Sequence, residues 1–128
     1  MTVFSTPIQV RFSDTDMLGH VNNSSYNQFF DIGRYECITK TFGDLNSWKE
    51  KMLVVVHIEN DYLKPVYIET AISVETQITE LGNKSLKMQQ QIVNSKGEIM
   101  VKSTSIMSTL DTRTGQSFII PDEWRARV

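Results

Sequence analysis

The chain reads as an α+β domain: one long helix, then a meander of strands. Three observations carry that reading. A helical apolar stripe occurs once, early, between Tyr26 and Phe42. Alternating apolar segments fill the remainder, separated by glycine-bearing turns. Strands that follow one another without intervening helices pair antiparallel, which separates α+β from a parallel α/β sheet.

Each element has its own warrant. Residues 3–13 are expected to be a strand, because Ile8, Val10 and Phe12 alternate. A polar segment from Asp14 to Asn23 ends it. The period then changes to helical, through Tyr26, Phe29, Phe30, Gly33, Cys37, Ile38 and Phe42. Asn22, Asn23, Ser24 and Ser25 are candidate N-caps, and Gly43 is placed to stop the helix. Gly33, inside the stripe, should cost about 1 kcal/mol against alanine. A close approach by sheet or partner backbone accounts for it, and so does plain imperfection. Asn46 to Lys51 suggest one further short turn. The run Leu53-Val-Val-Val56, within residues 52–62, has the character of a central strand. Residues 68–80 alternate through Ile68, Ile72, Val74 and Ile78, and residues 85–94 through Leu86, Met88 and Ile92. Turns are expected at 81–84 and 94–97. Residues 98–110 make another strand, 111–115 a hairpin, and Phe118 to Ile120 a short strand ended by Pro121.

At 128 residues the chain suits one domain, spanning 1–128, with room for a real core. Its net charge of −2 lacks the basic bias of a nucleic-acid binder. The single cysteine, Cys37, excludes an intramolecular disulfide and a cysteine metal cluster, and a reducing cytoplasm is expected. The opening Met1-Thr-Val-Phe-Ser-Thr has no basic region leading into an apolar one, so no signal peptide is expected. No apolar run approaches the roughly 20 residues of a membrane span.

Chemistry concentrates in Asp14-Thr-Asp16-Met-Leu-Gly19-His20-Val-Asn22-Asn23. The segment sets acids, a histidine and amides between a strand and a helix start. The first helical turn leaves backbone N–H groups without partners, and a carbonyl oxygen directed there meets donors and a favourable dipole. Asp14 and Asp16 could instead form an Asx turn that caps nearby N–H groups. They could also attract a divalent cation, although the further ligands of a calcium loop are missing. His20 could tie the loop together or donate to a substrate. Gly19 permits a backbone conformation or approach closed to larger residues. His57, within an apolar strand, reads as a core or interface histidine. Cys37 lies on the helical stripe without a base partner, so it reads as buried and inert. No nucleophile elbow, phosphate loop or dinucleotide fingerprint occurs.

Arg11-Phe-Ser-Asp14-Thr-Asp16-Met-Leu-Gly19-His20-Val-Asn22-Asn23-Ser-Ser-Tyr26, running on to Phe30-Asp31-Ile-Gly-Arg34, resembles the opening signature of the 4-hydroxybenzoyl-CoA thioesterase family. Asp61-Tyr62-Leu-Lys64-Pro65-Val66 is similar to that family's strand-to-strand passage. Glu80 to Ser85 is similar to its next turn, and Ile120-Pro121 to its C-terminal approach. The resemblance implies the hotdog fold, a curled antiparallel sheet of about five to six strands wrapped around one long helix. It implies Asp16 as the catalytic carboxylate, the N–H near Asn23 as the carbonyl's donor, and His20 as an assisting group. It implies that Gly19, Asn22, Tyr26 and Ser85 line the substrate site. It implies a homodimer or homotetramer with active sites at the subunit interface. No cofactor or metal is implied, since coenzyme A is part of the substrate. The family's helix usually carries Glu and a small residue before the arginine, where this chain has Asp31, Ile32 and Gly33 before Arg34.

The expected activity is hydrolysis of an acyl-CoA thioester, with Asp16 as nucleophile or as general base toward water. Thiolate leaves readily, so a sparse site suffices. One rival is a non-catalytic acyl-thioester binding module, which would bind without releasing thiol. Another is a hydroxyacyl-thioester dehydratase, which needs an acid at the helix start, where Asn22 to Ser25 supply none.

Overall fold

The structure, a computed structural model, describes residues 1–43 and 50–128. Strand β1 (Val3–Ile8) leads through a 3₁₀ turn (Phe12–Asp14) and a loop into helix α1 (Asn23–Phe42). Strands β2 (Lys51–Tyr62), β3 (Ile72–Leu81), β4 (Ser85–Asn94) and β5 (Ile99–Asp111) follow, then the short helix α2 (Asp122–Arg125). The five strands form one antiparallel sheet in the order β1-β3-β4-β5-β2. The turn expected over 46–51 falls mostly outside the described residues.

Alternation sends one set of side chains toward α1. Ile72, Val74, Thr76 and Ile78 of β3 are buried, as are Leu86, Met88, Gln90 and Ile92 of β4. Val101, Ser103, Ser105, Met107 and Thr109 continue the face on β5. The helix answers with Tyr26, Phe29, Phe30, Cys37, Ile38 and Phe42. A fully buried side chain such as Phe30 contributes about 2–3 kcal/mol through its removal from water. The core falls into two clusters, one around Phe30 under the first half of α1, the other around Phe42, Met88 and Trp124.

Asn22 is the N-cap, and its side-chain oxygen accepts the Ser24 N–H at 3.0 Å. Gly43 closes the helix, donating its N–H to the Thr39 carbonyl. A Cβ on Gly33 would lie 2.6 Å from Thr76 Oγ1, 2.7 Å from Val74 Cγ1 and 2.9 Å from Gln90 Nε2. Sheet side chains, not a partner backbone, therefore explain that glycine.

Several expected elements differ. The first strand stops at Ile8; Val10 stays buried, but Phe12 enters the 3₁₀ turn and is exposed. The alternation there outlasts the strand because the chain is already turning toward the loop. Strand β2 is an edge strand, not a central one. Leu53 is buried, whereas Val55, Val56 and Ile58 are exposed. A bulge at Val56 resets its alternation, so Leu53 and Val55 before it, and Ile58, Asn60 and Tyr62 after it, all share the helix side. His57 is consequently not a core residue: it faces outward, and its Nε2 meets Glu59 Oε1 at 2.9 Å. Ile68 precedes β3 and is exposed. Residues 118–120 form no strand; only an isolated Asp111–Gln116 bridge precedes them. Helix α2 is not evident in the sequence pattern. It buries Trp124 against Phe42, with ring centres 5.2 Å apart.

Candidate active site

The loop between β1 and α1 is a small hairpin. Its base is fixed where the Asn22 N–H donates to the Asp14 carbonyl at 2.8 Å, followed by a Thr15–Val21 bridge. At its tip the Asp16 N–H donates to the His20 carbonyl, and the Gly19 N–H to the Asp16 carbonyl. Gly19 has φ of +82°, and nothing lies within 4 Å of where its Cβ would be. The turn's conformation therefore calls for glycine there, rather than any close neighbour. The far arm is anchored by the Val21 N–H on the Val66 carbonyl and by a His20–Tyr67 bridge.

The two acids have separate tasks. Asp14 is 1% exposed. Its carboxylate accepts the Arg11 backbone N–H at 2.8 Å and the Arg11 guanidinium at 3.0 Å. Burial pushes this carboxyl up, but the hydrogen bonds and charge of Arg11 outweigh it and hold the group below the usual carboxylate range. Asp14 thus clamps the entry to the loop. Asp16 points elsewhere: its side chain is 32% exposed, Oδ1 accepts the Leu18 N–H at 2.9 Å, and Oδ2 lies 3.6 Å from His20 Nδ1. Asp16 and His20 are therefore brought together at the tip. Among the described residues, no three His, Cys, Asp or Glu side chains converge as metal ligands.

The helix begins beside this hairpin. Asn22 takes the Ser24 N–H, and the Asn22 carbonyl takes the Ser25 N–H. Among the described residues no group accepts the Asn23 N–H. Asp16 lies two residues, roughly 7 Å of extended chain, out from Asp14 on one arm. Asn23 lies one residue past the hairpin base on the other. No acid occupies the first turn of α1.

The other expected site residues divide. Gly19 and Asn22 belong to the hairpin and cap. Tyr26 is buried, with its ring 5.4 Å from Tyr62 and 6.1 Å from Phe29. Burial raises its phenol above the ordinary range. Ser85 starts β4 and pairs with Ser108, whereas Ile92 and Val101, at the other end of the strand, share a core cluster with Val21, Tyr26 and Phe29 from the start of the helix. Seven strand residues, roughly 23 Å, separate Ser85 from Ile92, so one chain does not bring Ser85 to Asp16. Cys37 is fully buried, and burial pushes its thiol up to about 11.

The residues missed by sequence reasoning lie under the helix. Thr76, Gln90, Ser103 and Asn60 form one polar rung across four strands. Gln90 is fully engaged: its amide N–H groups donate to the Phe30 carbonyl and Thr76 Oγ1, and its oxygen accepts from the buried Arg34. Arg34 also pairs with Asp31. The available signal was polar residues at inward positions of otherwise apolar strands.

The architecture is the hotdog fold, and comparison with known proteins gives the class. Residues 10–128 match the model of the thioesterase-like superfamily. The chain belongs to that family, and as an enzyme it is a thioester hydrolase. It is 27% identical over 112 residues to the acyl-CoA thioester hydrolase YbgC of Escherichia coli O157:H7, covering 86% of this chain and 84% of that one. It superposes on a predicted thioesterase from Bacillus stearothermophilus with a TM-score of 0.89 at 32% identity, covering 98% and 93% of the two chains. A thioesterase from Thermus thermophilus, complexed with coenzyme A and zinc, gives a TM-score of 0.85 at 27% identity, covering 97% and 90%.

Proposed function

We propose that this chain hydrolyses an acyl-CoA to free acid and coenzyme A, using Asp16 and the start of α1. One observation carries the reading: a partly exposed carboxylate stands on a hairpin whose other arm runs into a helix with an unclaimed first N–H. The thioester oxygen accepts from Asn23, whose N–H polarises the carbonyl and stabilises the oxyanion. Such a donor is worth about 3 kcal/mol of barrier. Asp16 either attacks the carbon or takes a proton from the attacking water. His20, beside Asp16, orients the thioester. The names of YbgC and of the coenzyme A complex support the substrate class.

A second copy completes the site. Among the described residues β2 is an edge strand with one side unpaired, and its length together with exposed Val55, Val56 and Ile58 along it favours strand addition. Two chains joined there form a homodimer, and a partner could bring Ser85 toward a site its own chain does not reach.

The test is thiol release from a panel of acyl-CoAs. Asp16→Asn should fold normally and lose about 10²–10⁴-fold in kcat. Near-native turnover by that variant removes Asp16 from the mechanism. Single-turnover hydrolysis in ¹⁸O-labelled water then distinguishes the roles: label found in Asp16 marks an anhydride, and label in the product alone marks general-base attack by water.

A further inference from the structure

We infer that the acyl group this site favours carries a hydroxyl, received one turn into α1 by Asn60, Ser103 and Ser105; the inference rests on the thioesterase reading above. The polar rung beneath the helix is satisfied in one half only. Thr76 and Gln90 are closed by the Phe30 carbonyl and Arg34. On the other half and on the adjoining inward rung, among the described residues, Ser103 Oγ, Asn60 Oδ1 and Ser105 Oγ are buried and have no hydrogen-bond partner. Ser103 is 4% exposed and Ser105 1%. Buried polar atoms are nearly always paired, and three neighbours left open together mark a place that something else fills.

Their position fits the substrate's path. Asn60 pairs across with Ser103, and Ile58 with Ser105, so the three atoms share one patch on the helix side of β5 and β2. The Asn60 amide donates to Asn27 Oδ1 at 2.8 Å, closing the seam between α1 and β2 over this patch. That contact is exposed in the single chain, as are Ile58 and Tyr62 beside it, so the seam opens along the β2 edge where the proposed second copy meets it and a chain enters between the two copies. Asn27 lies one helical turn from Asn23, roughly 6 Å along the axis. An acyl group whose carbonyl sits on the Asn23 N–H therefore reaches the patch about five to six bonds further on, counted from the carbonyl carbon. Asn60 Oδ1 only accepts, and a hydroxyl can donate to it while accepting from either serine. An alkyl chain there would leave all three atoms unpaired, which sites of this kind reject strongly.

The experiment compares 6-hydroxyhexanoyl-CoA with heptanoyl-CoA, which has a methyl in place of the hydroxyl. Thiol release gives kcat/KM, and calorimetry with the CoA thioethers of the same two chains gives binding without turnover. The native enzyme should favour the hydroxylated ester by roughly tenfold or more. In Ser103→Ala/Ser105→Ala the ratio should approach one, in turnover and in binding. Equal or reversed preference in the native enzyme overturns the inference, and so does a preference that survives the double substitution. If thiol is released from both esters without discrimination, hydrolysis stands and the hydroxyl pocket falls. If neither ester is cleaved but the hydroxylated thioether binds more tightly, the pocket stands and the hydrolase reading of Asp16 falls.

Discussion

The site's chemistry can be separated from its folding one atom at a time. Asn23 is the first residue of α1, where a missing N–H costs the helix nothing and the proline φ is already favoured. Asn22 is extended, with φ of −68° and ψ of 141°, a geometry that tolerates a following proline. Asn23→Pro should therefore keep the thermal midpoint and lower kcat by roughly 10²–10³-fold, the cost of a lost oxyanion donor; unchanged turnover would show that this N–H is idle. Asp14 makes the complementary case. Its carboxyl is held below the ordinary carboxylate range. It therefore contributes stability that is present above the unfolded group's pKa and lost as pH falls through the folded value. Asp14→Asn should cost about 2 kcal/mol at neutral pH. The gap in melting temperature between the two proteins should close as pH falls below about 4. Composition and spacing placed both acids in one loop without telling them apart, and only the family resemblance singled out Asp16. The difference arises from Arg11, which folds back on Asp14 and leaves Asp16 outside.

At the scale of elements, α1 sits close to the sheet because Gly33 lets it. A methyl there would press on Thr76 and Val74, which are β-branched and stiff, and on a Gln90 amide already held by two acceptors. Gly33→Ala should lower stability by about 1–3 kcal/mol, read as a lower thermal midpoint, despite alanine's better helix propensity. Periodicity made this helix legible from Asn22 to Gly43, along with β4 and β5 nearly to the residue. It could not show how far β1 runs, because Val10 keeps the apolar alternation past the strand's end. Nor could it show α2, whose four residues are held by Trp124 against Phe42, a contact between distant positions. The polar rung was hidden for the same reason: Thr76, Gln90, Ser103 and Asn60 come together only through strand pairing.

The sheet has two edges, β1 and β2, and the longer of them, β2, has one side unpaired among the described residues. The run Leu53 to Val56 has a central strand's pattern because a continuous apolar stretch reports that both faces avoid water. In one chain this strand is an edge, and the pattern makes sense when a second chain covers it. Val56→Lys, placed at the exposed bulge, should leave the monomer folded, shift the sedimentation coefficient from dimer to monomer, and reduce turnover with it. A monomeric variant with full activity would show that one chain builds a complete site. The packing of Cys37 has a practical corollary for all these measurements. The chain's sole sulfhydryl is sealed beneath α1 and resists deprotonation, so a disulfide dye added to native enzyme stays colourless until coenzyme A is liberated. The same dye in denaturant should register one equivalent per chain, which makes a single reagent both the clock for turnover and the count of unfolded molecules.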